Sequence, residues 1–472
     1  MALVNLSDLP LLNLDATTNR VDTFVTIYNQ QHLEAGPIRF KQILARISAR
    51  IRLYPKYQQV QSNSIIPFIS KEWLVDDTFD PEFHIRHVAL PKPGDWRQFC
   101  ILVARMHARP IDETRPLWEI NVIEGLNDVP FAGEGHFALV CKIDHELVSE
   151  TLKQGLIWAI HDVLNEDDLR ADLNPTFEPV SMLAPLNSLL KLNVDRLIRP
   201  FAEPIRTSLS LTRGLASVIL PNVRFFSNAL LGNNKVPYTR FNTDISSFRV
   251  WESCSFNQDE FKQLLQLMQQ SSKATLHDVI VTIIGGALAL YLKDKKELTG
   301  HDLILLMPRM EISKQDNELQ LSYFAQKLFT STTAAKARFE QVVASDKSGQ
   351  ETIDKMHYPK HLSAFQKMSK ANDVLHSIQT TKATINPLGN TALIDLGSNE
   401  ESMSLFSAPL VYFSGLPQIS NGLGLTHMLS YDQQQVNLAF TSCREMLPDP
   451  AFYRECIQHS FNDLVATISS GS

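Results

Sequence analysis

The sequence predicts a mixed α/β (α+β) protein of two or three domains. Its 472 residues exceed what one ordinary hydrophobic core organises. Apolar runs of strand length, HFALVCKID at 136–144 and LILLMPRM at 303–310, suit buried strands. Segments with apolar residues at helical spacing lie around them, so strand and helix signals mix along both halves of the chain.

FKQILARISARIRLYPKYQQV (40–60) sets Ile43, Leu44, Ile47 and Ile51 on one helical face and stops near Pro55. WRQFCILVARMHARPID (96–112) predicts another helix, with Phe99, Leu102, Val103 and Met106 turned inward. PLWEINVIEGL (116–126) alternates as a strand and turns at Gly125, and GEGHFA (133–138) reads as the turn before the buried strand. After His145, SETLKQGLIWAIHDVL predicts a helix with Leu152, Leu156, Ile157 and Ile160 facing in. Prolines at 175, 179, 185, 200, 204, 221 and 237 then break any long helix. Lys191, Arg196, Arg199, Arg206, Arg213 and Arg224 are interspersed there with apolar residues. Residues 181–240 are therefore expected to be a linker with short amphipathic helices, suited to a membrane surface or to a solvated face packed across two domains. An N-terminal domain (1–180) and a C-terminal domain (241–472) flank it.

In the C-terminal part FRVWESCSF is strand-like, and NQDEFKQLLQLMQQ is a helix with Asn257 or Asp259 near its N-cap. ATLHDVIVTIIGGALALYLKDK (274–295) predicts a long apolar helix that opens at His277-Asp278. A polar, helical middle is expected to about residue 380. PLVYFSGLP (409–417) is a strand, MLSYD-QQQ-VNLAF a hairpin, and AFYRECIQHSFNDLVATI a final helix.

Composition narrows the function. A hydrophobic fraction of 44% and a charged fraction of 20% are those of a globular chain. A net charge of −7 supplies no basic field for nucleic acid. The N-terminus lacks a basic region and carries Asp8 early, so it does not read as a signal peptide. No run of about 18 apolar residues predicts a spanning helix. Cys100, Cys141, Cys254, Cys443 and Cys456 form no CxxC pair and are odd in number, which argues against a disulfide framework or structural zinc and fits a reducing compartment. Cys141 lies inside an apolar strand and reads as a small buried hydrophobe.

Several motifs fail on spacing or context. His145-Glu146 begins like HExxH, but Ser149 stands where the second ligand belongs, so no metal is expected. GEGHFA fits G-x-G-x-x-A yet leads into a strand, so it aims no helix N-terminus at a phosphate. The chain contains no P-loop and no G-x-S-x-G elbow. In HIRH (84–87), His84 and His87 face opposite sides of an extended segment. His107 and His136 read as structural. His145 remains, at the mouth of a buried strand, where an imidazole serves as a general base or simply as a structural polar group.

Longer stretches settle how His145 is read. EWLVDDTFDPEFHIRHVALPKPGDWRQF and ARMHARPIDETRPLWEINVIEGL, within 72–126, resemble the wax ester synthase / diacylglycerol acyltransferase family of bacterial O-acyltransferases. Pro116, Leu117 and Trp118 look like its PLW motif, and HFALVCKIDHELVSE falls where the family writes HHxxxDG. TLHDVIVTIIGGALALYL resembles its Asn-Asp helix, PYTRFNTDIS (237–246) its lead-in to the second domain, and LSYDQQQVNLAFTSCREMLPD (429–449) its C-terminal hairpin. The resemblance spans nearly the whole chain in the same order. It implies two chloramphenicol-acetyltransferase-like domains, each a mixed sheet flanked by helices, with the active-site channel between them. It also implies transfer of a fatty acyl group from acyl-CoA, as co-substrate without further cofactor, to a long-chain alcohol or diacylglycerol. His145 matches the general base, which takes the hydroxyl proton and returns it to the departing thiolate. Pro116, Leu117, Trp118 and Asp278 match structural or channel positions. The expected location is cytoplasmic, with peripheral attachment at the inner membrane face or at lipid droplets.

The departures cluster at the motif. Asp144 stands for the first histidine, Ser149 for the aspartate, Glu150 for the glycine and His277 for the asparagine, while SNEESM (398–403) replaces a Ser-Asn-Val-Pro-Gly-Pro turn. Serine cannot make the salt bridge an aspartate makes, and a base displaced by about 1 Å loses roughly a hundredfold in rate. Glu150 resists backbone shapes open to glycine. Anionic neighbours at 144, 146 and 150 favour imidazolium, unless strand alternation turns Asp144 and Glu146 away. Two functional classes follow: a slowed acyltransferase, or a non-catalytic relative that binds acyl lipid or a partner enzyme. A peptide-bond-forming condensation domain shares the fold and the histidine but normally works beside carrier domains.

Overall fold

The computed structural model describes residues 21–31, 33–34, 36–52, 54–61, 73–130, 134–144, 147, 160–162, 236–269, 274–312, 319–347, 387, 389–398, 403–432 and 434–469. In chain order the elements are β1 (Val21–Asn29), α1 (Phe40–Ile51), β2 (Gln59–Gln61), β3 (Trp73–Val75), α2 (Pro81–His84), β4 (Ile85–Ala89), α3 (Trp96–Ala108), β5 (Trp118–Leu126), β6 (His136–Asp144), β7 (Arg249–Asn257), α4 (Gln258–Gln269), α5 (Leu276–Asp294), β8 (Ile304–Ile312), β9 (Leu319–Lys327), α6 (Ala335–Lys347), β10 (Thr391–Ser398), β11 (Ser404–Leu405), β12 (Ala408–Leu416), β13 (Leu425–Tyr431), β14 (Gln435–Cys443) and α7 (Pro450–Ser469). They belong to a compact unit of residues 1–169 and 236–472; a second unit, 170–235, lies outside the described residues, as does most of the expected linker.

Two mixed six-stranded sheets result, ordered β11-β12-β1-β6-β5-β4 and β7-β14-β13-β10-β8-β9. In the first, β6 runs antiparallel between β1 and β5, and β4 lies parallel to β5. In the second, β10 runs parallel to both β8 and β13, while β13, β14 and β7 are antiparallel. β12 belongs by sequence to the second half, yet it pairs antiparallel with β1. The chain thus leaves the second sheet to complete the first and then returns as β13.

Strand alternation decides which face of the second sheet is oily. Cys254, Phe256, Leu438, Phe440, Leu425, Leu429 and Leu393 point to one face and join a core with Val279, Ile283 and Leu288 of α5 and Tyr453, Ile457 and Phe461 of α7. At Gly286 of α5, an added Cβ would lie 2.1 Å from the Ser460 hydroxyl of α7, so glycine lets the two helices approach closely. By length and composition α5 could cross a membrane, but most of it is buried against its neighbours, as a core helix is.

The periodic helices α1, α3, α4 and α7 and the β13–β14 hairpin form where the pattern places them. Asn257 supplies the cap of α4, accepting from the Asp259 N–H at 2.8 Å. Two expectations need correction. The polar stretch before residue 380 is not helical throughout: Leu319–Lys327 pair with β8 as β9. The helix expected to run to residue 164 does not cover 160–162, which form a turn and bend. There Asp162 meets Arg46 at 2.9 Å and the Ser404 hydroxyl at 2.9 Å, so side-chain bonds to distant segments displace the helical pattern.

A buried carboxylate joins the halves. Glu252 of β7 is 4% exposed and accepts from the Trp96 indole N–H and, at 3.5 Å, from the Cys100 thiol, both on α3. Burial raises the Glu252 carboxyl above the ordinary glutamate range, against the lowering pull of the Ser253 N–H, Arg454 and the α3 donors. A raised folded pKa means that Glu252 supports the fold fully below the ordinary range and progressively less as pH rises through its folded value. Glu252→Gln keeps an oxygen acceptor without the charge. Its melting temperature should exceed wild type by a few degrees at pH 8, and the gap should close toward pH 5 in scanning calorimetry.

Candidate active site

The sequence Arg115-Pro116-Leu117-Trp118 starts β5 beside the last residues of β6. Trp118 opposes Ile143 across the ladder, and the Asp144 N–H donates to the Leu117 carbonyl at 2.8 Å. The Trp118 N–H closes on the Pro116 carbonyl at 2.8 Å, a tight turn for which proline already fixes the preceding backbone. Trp118 is 1% exposed; its indole N–H donates to the Tyr57 carbonyl at 2.7 Å. The His84 ring stacks on the indole at 4.5 Å, and its Nδ1 lies 2.8 Å from the Trp118 carbonyl, so that nitrogen carries the proton. Burial lowers the His84 pKa, which keeps the ring neutral. Pro116, Leu117 and Trp118 are all buried and form a buttress under the point where β6 ends.

On the other edge of β6, Val21 of β1 opposes Asp144. Asp144 is half-buried and ends the strand; His145, Ser149 and Glu150 lie outside the described residues, whereas Leu147 is fully buried. The described frame therefore fixes the strand end immediately before His145 from both sides.

His277 and Asp278 open α5. Thr275 is its N-cap: its hydroxyl accepts from the Asp278 N–H, and the Asp278 carboxylate accepts in return from the Thr275 N–H and hydroxyl, each at 2.8 Å. Burial pushes the Asp278 carboxyl up, opposed by those bonds. His277 pairs through Nε2 with Asp395 of β10 at 2.9 Å, and the other Asp395 oxygen accepts from the Gly397 N–H at 2.7 Å. The structure thus places the PLW segment with Asp144 on the first sheet, and His277 with Asp278 against the second. Asp395 was not singled out from the sequence. The run Thr391-Ala-Leu-Ile-Asp-Leu-Gly, apolar around one carboxylate, was the available signal for β10.

His107 donates or accepts with the Thr23 hydroxyl at 2.8 Å and is a structural histidine, as expected. His136 is buried and has no hydrogen-bond partner among the described residues. His87 meets Glu124 at 3.1 Å. The five cysteines are buried and free.

Two mixed sheets with flanking helices define the two-domain, chloramphenicol-acetyltransferase-like class of acyltransferases. The chain belongs to the wax ester synthase/diacylglycerol acyltransferase family: residues 5–279 match the wax ester synthase/diacylglycerol acyltransferase catalytic domain and residues 320–465 match the WS/DGAT C-terminal domain. A probable diacylglycerol O-acyltransferase of Mycobacterium tuberculosis is 23% identical over 436 residues, covering 91% of each chain. An O-acyltransferase of Acinetobacter baylyi is 28% identical over 244 residues, covering 50% of this chain and 49% of that one. The wax ester synthase/diacylglycerol acyltransferase structure from Marinobacter aquaeolei superposes with a TM-score of 0.64 at 16% identity, covering 99% of this chain and all of that one, and shares the fold.

The reciprocal cap on α5 makes a measurable contribution. Thr275→Ala removes the hydroxyl's two bonds with Asp278, leaves the one from the backbone N–H, and should cost about 1 kcal/mol, within the range for lost N-caps. The expected result is a lower urea midpoint with an unchanged m-value.

Proposed function

We propose that this chain transfers a fatty acyl group from acyl-CoA to the hydroxyl of a long-chain alcohol or diacylglycerol, with His145 as general base. Family membership over both halves, with a histidine kept directly after β6, supports this reading most strongly. In the first step the imidazole accepts the hydroxyl proton while the oxygen attacks the thioester carbonyl. The tetrahedral intermediate then collapses, the C–S bond breaks, and the imidazolium protonates the thiolate. The products are a wax ester or triacylglycerol and free CoA.

Ser149 and Glu150 replace the aspartate and glycine of the motif, so turnover is expected to be slow. The same replacements favour a second reading, a non-catalytic relative that holds acyl lipid or a partner enzyme. Incubation with labelled palmitoyl-CoA and hexadecanol or dioleoylglycerol separates the two. Ester should form with wild type and fall at least a hundredfold in His145→Ala; equal background from both proteins selects the second reading.

The domain reading keeps 1–180 and 241–472 as acyltransferase halves around a linker, 181–240. The basic and apolar residues of that linker support attachment to an anionic membrane face or a lipid-droplet surface. Neutralising Arg196, Arg199 and Arg206 together should lower flotation with vesicles containing anionic lipid. Unchanged flotation would remove the linker from the attachment.

A further inference from the structure

The β11–β12 hairpin turns in two residues. Ser404 pairs with Pro409 and Leu405 with Ala408, so Phe406 and Ser407 alone make the bend. Both sit in the left-handed region, Phe406 at φ 52° and Ser407 at φ 63°. A two-residue hairpin with positive φ at both places is usually written Asn-Gly, because glycine has no Cβ to crowd and asparagine tolerates the shape. Phenylalanine and serine resist it. The turn is therefore strained, and its surroundings must hold it in place.

What holds it comes from two distant stretches of chain. One oxygen of the Asp162 carboxylate accepts from the Ser407 N–H at 2.8 Å and from the Ser404 hydroxyl at 2.9 Å. The other accepts from Arg46 of α1 at 2.9 Å. The Asp162 N–H donates in return to the Ser404 carbonyl at 2.9 Å. The Arg46 guanidinium lies 4.2 Å from the centre of the Phe406 ring and reaches the Ile160 carbonyl at 3.4 Å. One carboxylate and one guanidinium thus touch both strained residues. Burial opposes the Asp162 charge, yet the Ser407 N–H, Arg46 and the Ser404 hydroxyl outweigh it and hold the carboxyl below the usual aspartate range. Beneath the clasp Leu405, Ala408 and Ile160 are fully buried, and His161 meets the Tyr28 hydroxyl of β1 at 2.9 Å. The Arg46 and Asp162 side chains themselves stay 24% and 27% exposed, so water reaches the charges but not what they hold down.

A plain connection would use Asn-Gly and need no clasp. This hairpin is the arm by which the second half reaches the first sheet, since β12 pairs with β1. Strained backbone held by a partner that can let go is a feature of segments that switch between two positions. We propose that β11 and the Phe406-Ser407 turn form a strained latch, closed on α1 and on residues 160–162 by Arg46 and Asp162, which opens as a unit while the β1–β12 ladder stays paired. Loss of either charge releases the strain. Opening breaks the two backbone bonds that cross the latch, from the Asp162 N–H to the Ser404 carbonyl and from the Leu410 N–H to the Met403 carbonyl at 2.8 Å.

Native-state hydrogen exchange on the full chain reads this opening. The Asp162 and Leu410 amides report on the latch, and those of the β1–β12 ladder serve as the control. Asp162→Asn removes the charge at nearly constant size, and Arg46→Met removes the guanidinium. Each should speed exchange at Leu410 by about tenfold or more, with the ladder amides within about twofold of wild type. Ser407→Gly removes the strain at one of the two positions. Added to Asp162→Asn, it should slow Leu410 exchange again by about tenfold, the factor that a side chain in the left-handed region costs. An unstrained surface contact would lose the same bonds in Asp162→Asn and gain nothing from glycine. Leu410 exchange unmoved in either charge variant overturns the proposal, and Asp162→Asn decides alone if Arg46→Met does not fold. A parallel rise in the ladder amides also overturns it, since the whole sheet then loosens. So does a glycine that fails to slow exchange.

Discussion

The hydrogen bond from the Asp144 N–H to the Leu117 carbonyl, 2.8 Å long, sets the height at which the chain leaves the first sheet. It holds because β6 is paired along its full length with β1 on one side and nearly as far with β5 on the other. A one-residue slip would turn every side chain of β6 to the other face, setting Phe137, Leu139 and Cys141 into the packed places that Ala138, Val140 and Lys142 now fill. Burial of Trp118, bonded to Tyr57 and stacked on His84, makes that slip costly from the β5 side as well. The point from which His145 follows is therefore set by strand pairing together with aromatic packing around Trp118.

A second constraint ties the halves together. β12 completes the first sheet although its sequence neighbours β10 and β13 belong to the second, so the two sheets cannot separate without breaking the β1–β12 ladder. Glu252 adds a shorter tie from β7 to Trp96 and Cys100 of α3. The ladder is insensitive to pH, whereas the carboxylate is not, because burial opposes its charge.

Local pattern made much of this legible and long-range pairing did not. The 3.6-residue period of α1, α3 and α7 and the unbroken run of β6 were readable because each follows from one face being buried. Nothing local says that β12 pairs with β1, or that His277 finds Asp395, since those partners meet only after the sheets assemble. β9 was hidden because LQLSYFAQK mixes polar residues into a strand at the sheet edge. At the candidate site, the PLW segment and His145 were singled out by their resemblance to the family's motifs. The buttressing bonds among Leu117, Trp118, Tyr57 and His84 were not, because three of the four partners contribute backbone carbonyls, which no residue identity encodes.

The motif stretch and the described frame meet at one strand end, the end of β6. Ser149 and Glu150 belong to the stretch that follows His145, while Lys142, Glu119 and the Asp144–Leu117 bond hold the strand that precedes it. A strand end braced by a backbone bond, an ion pair and a buried indole keeps its place whatever follows it.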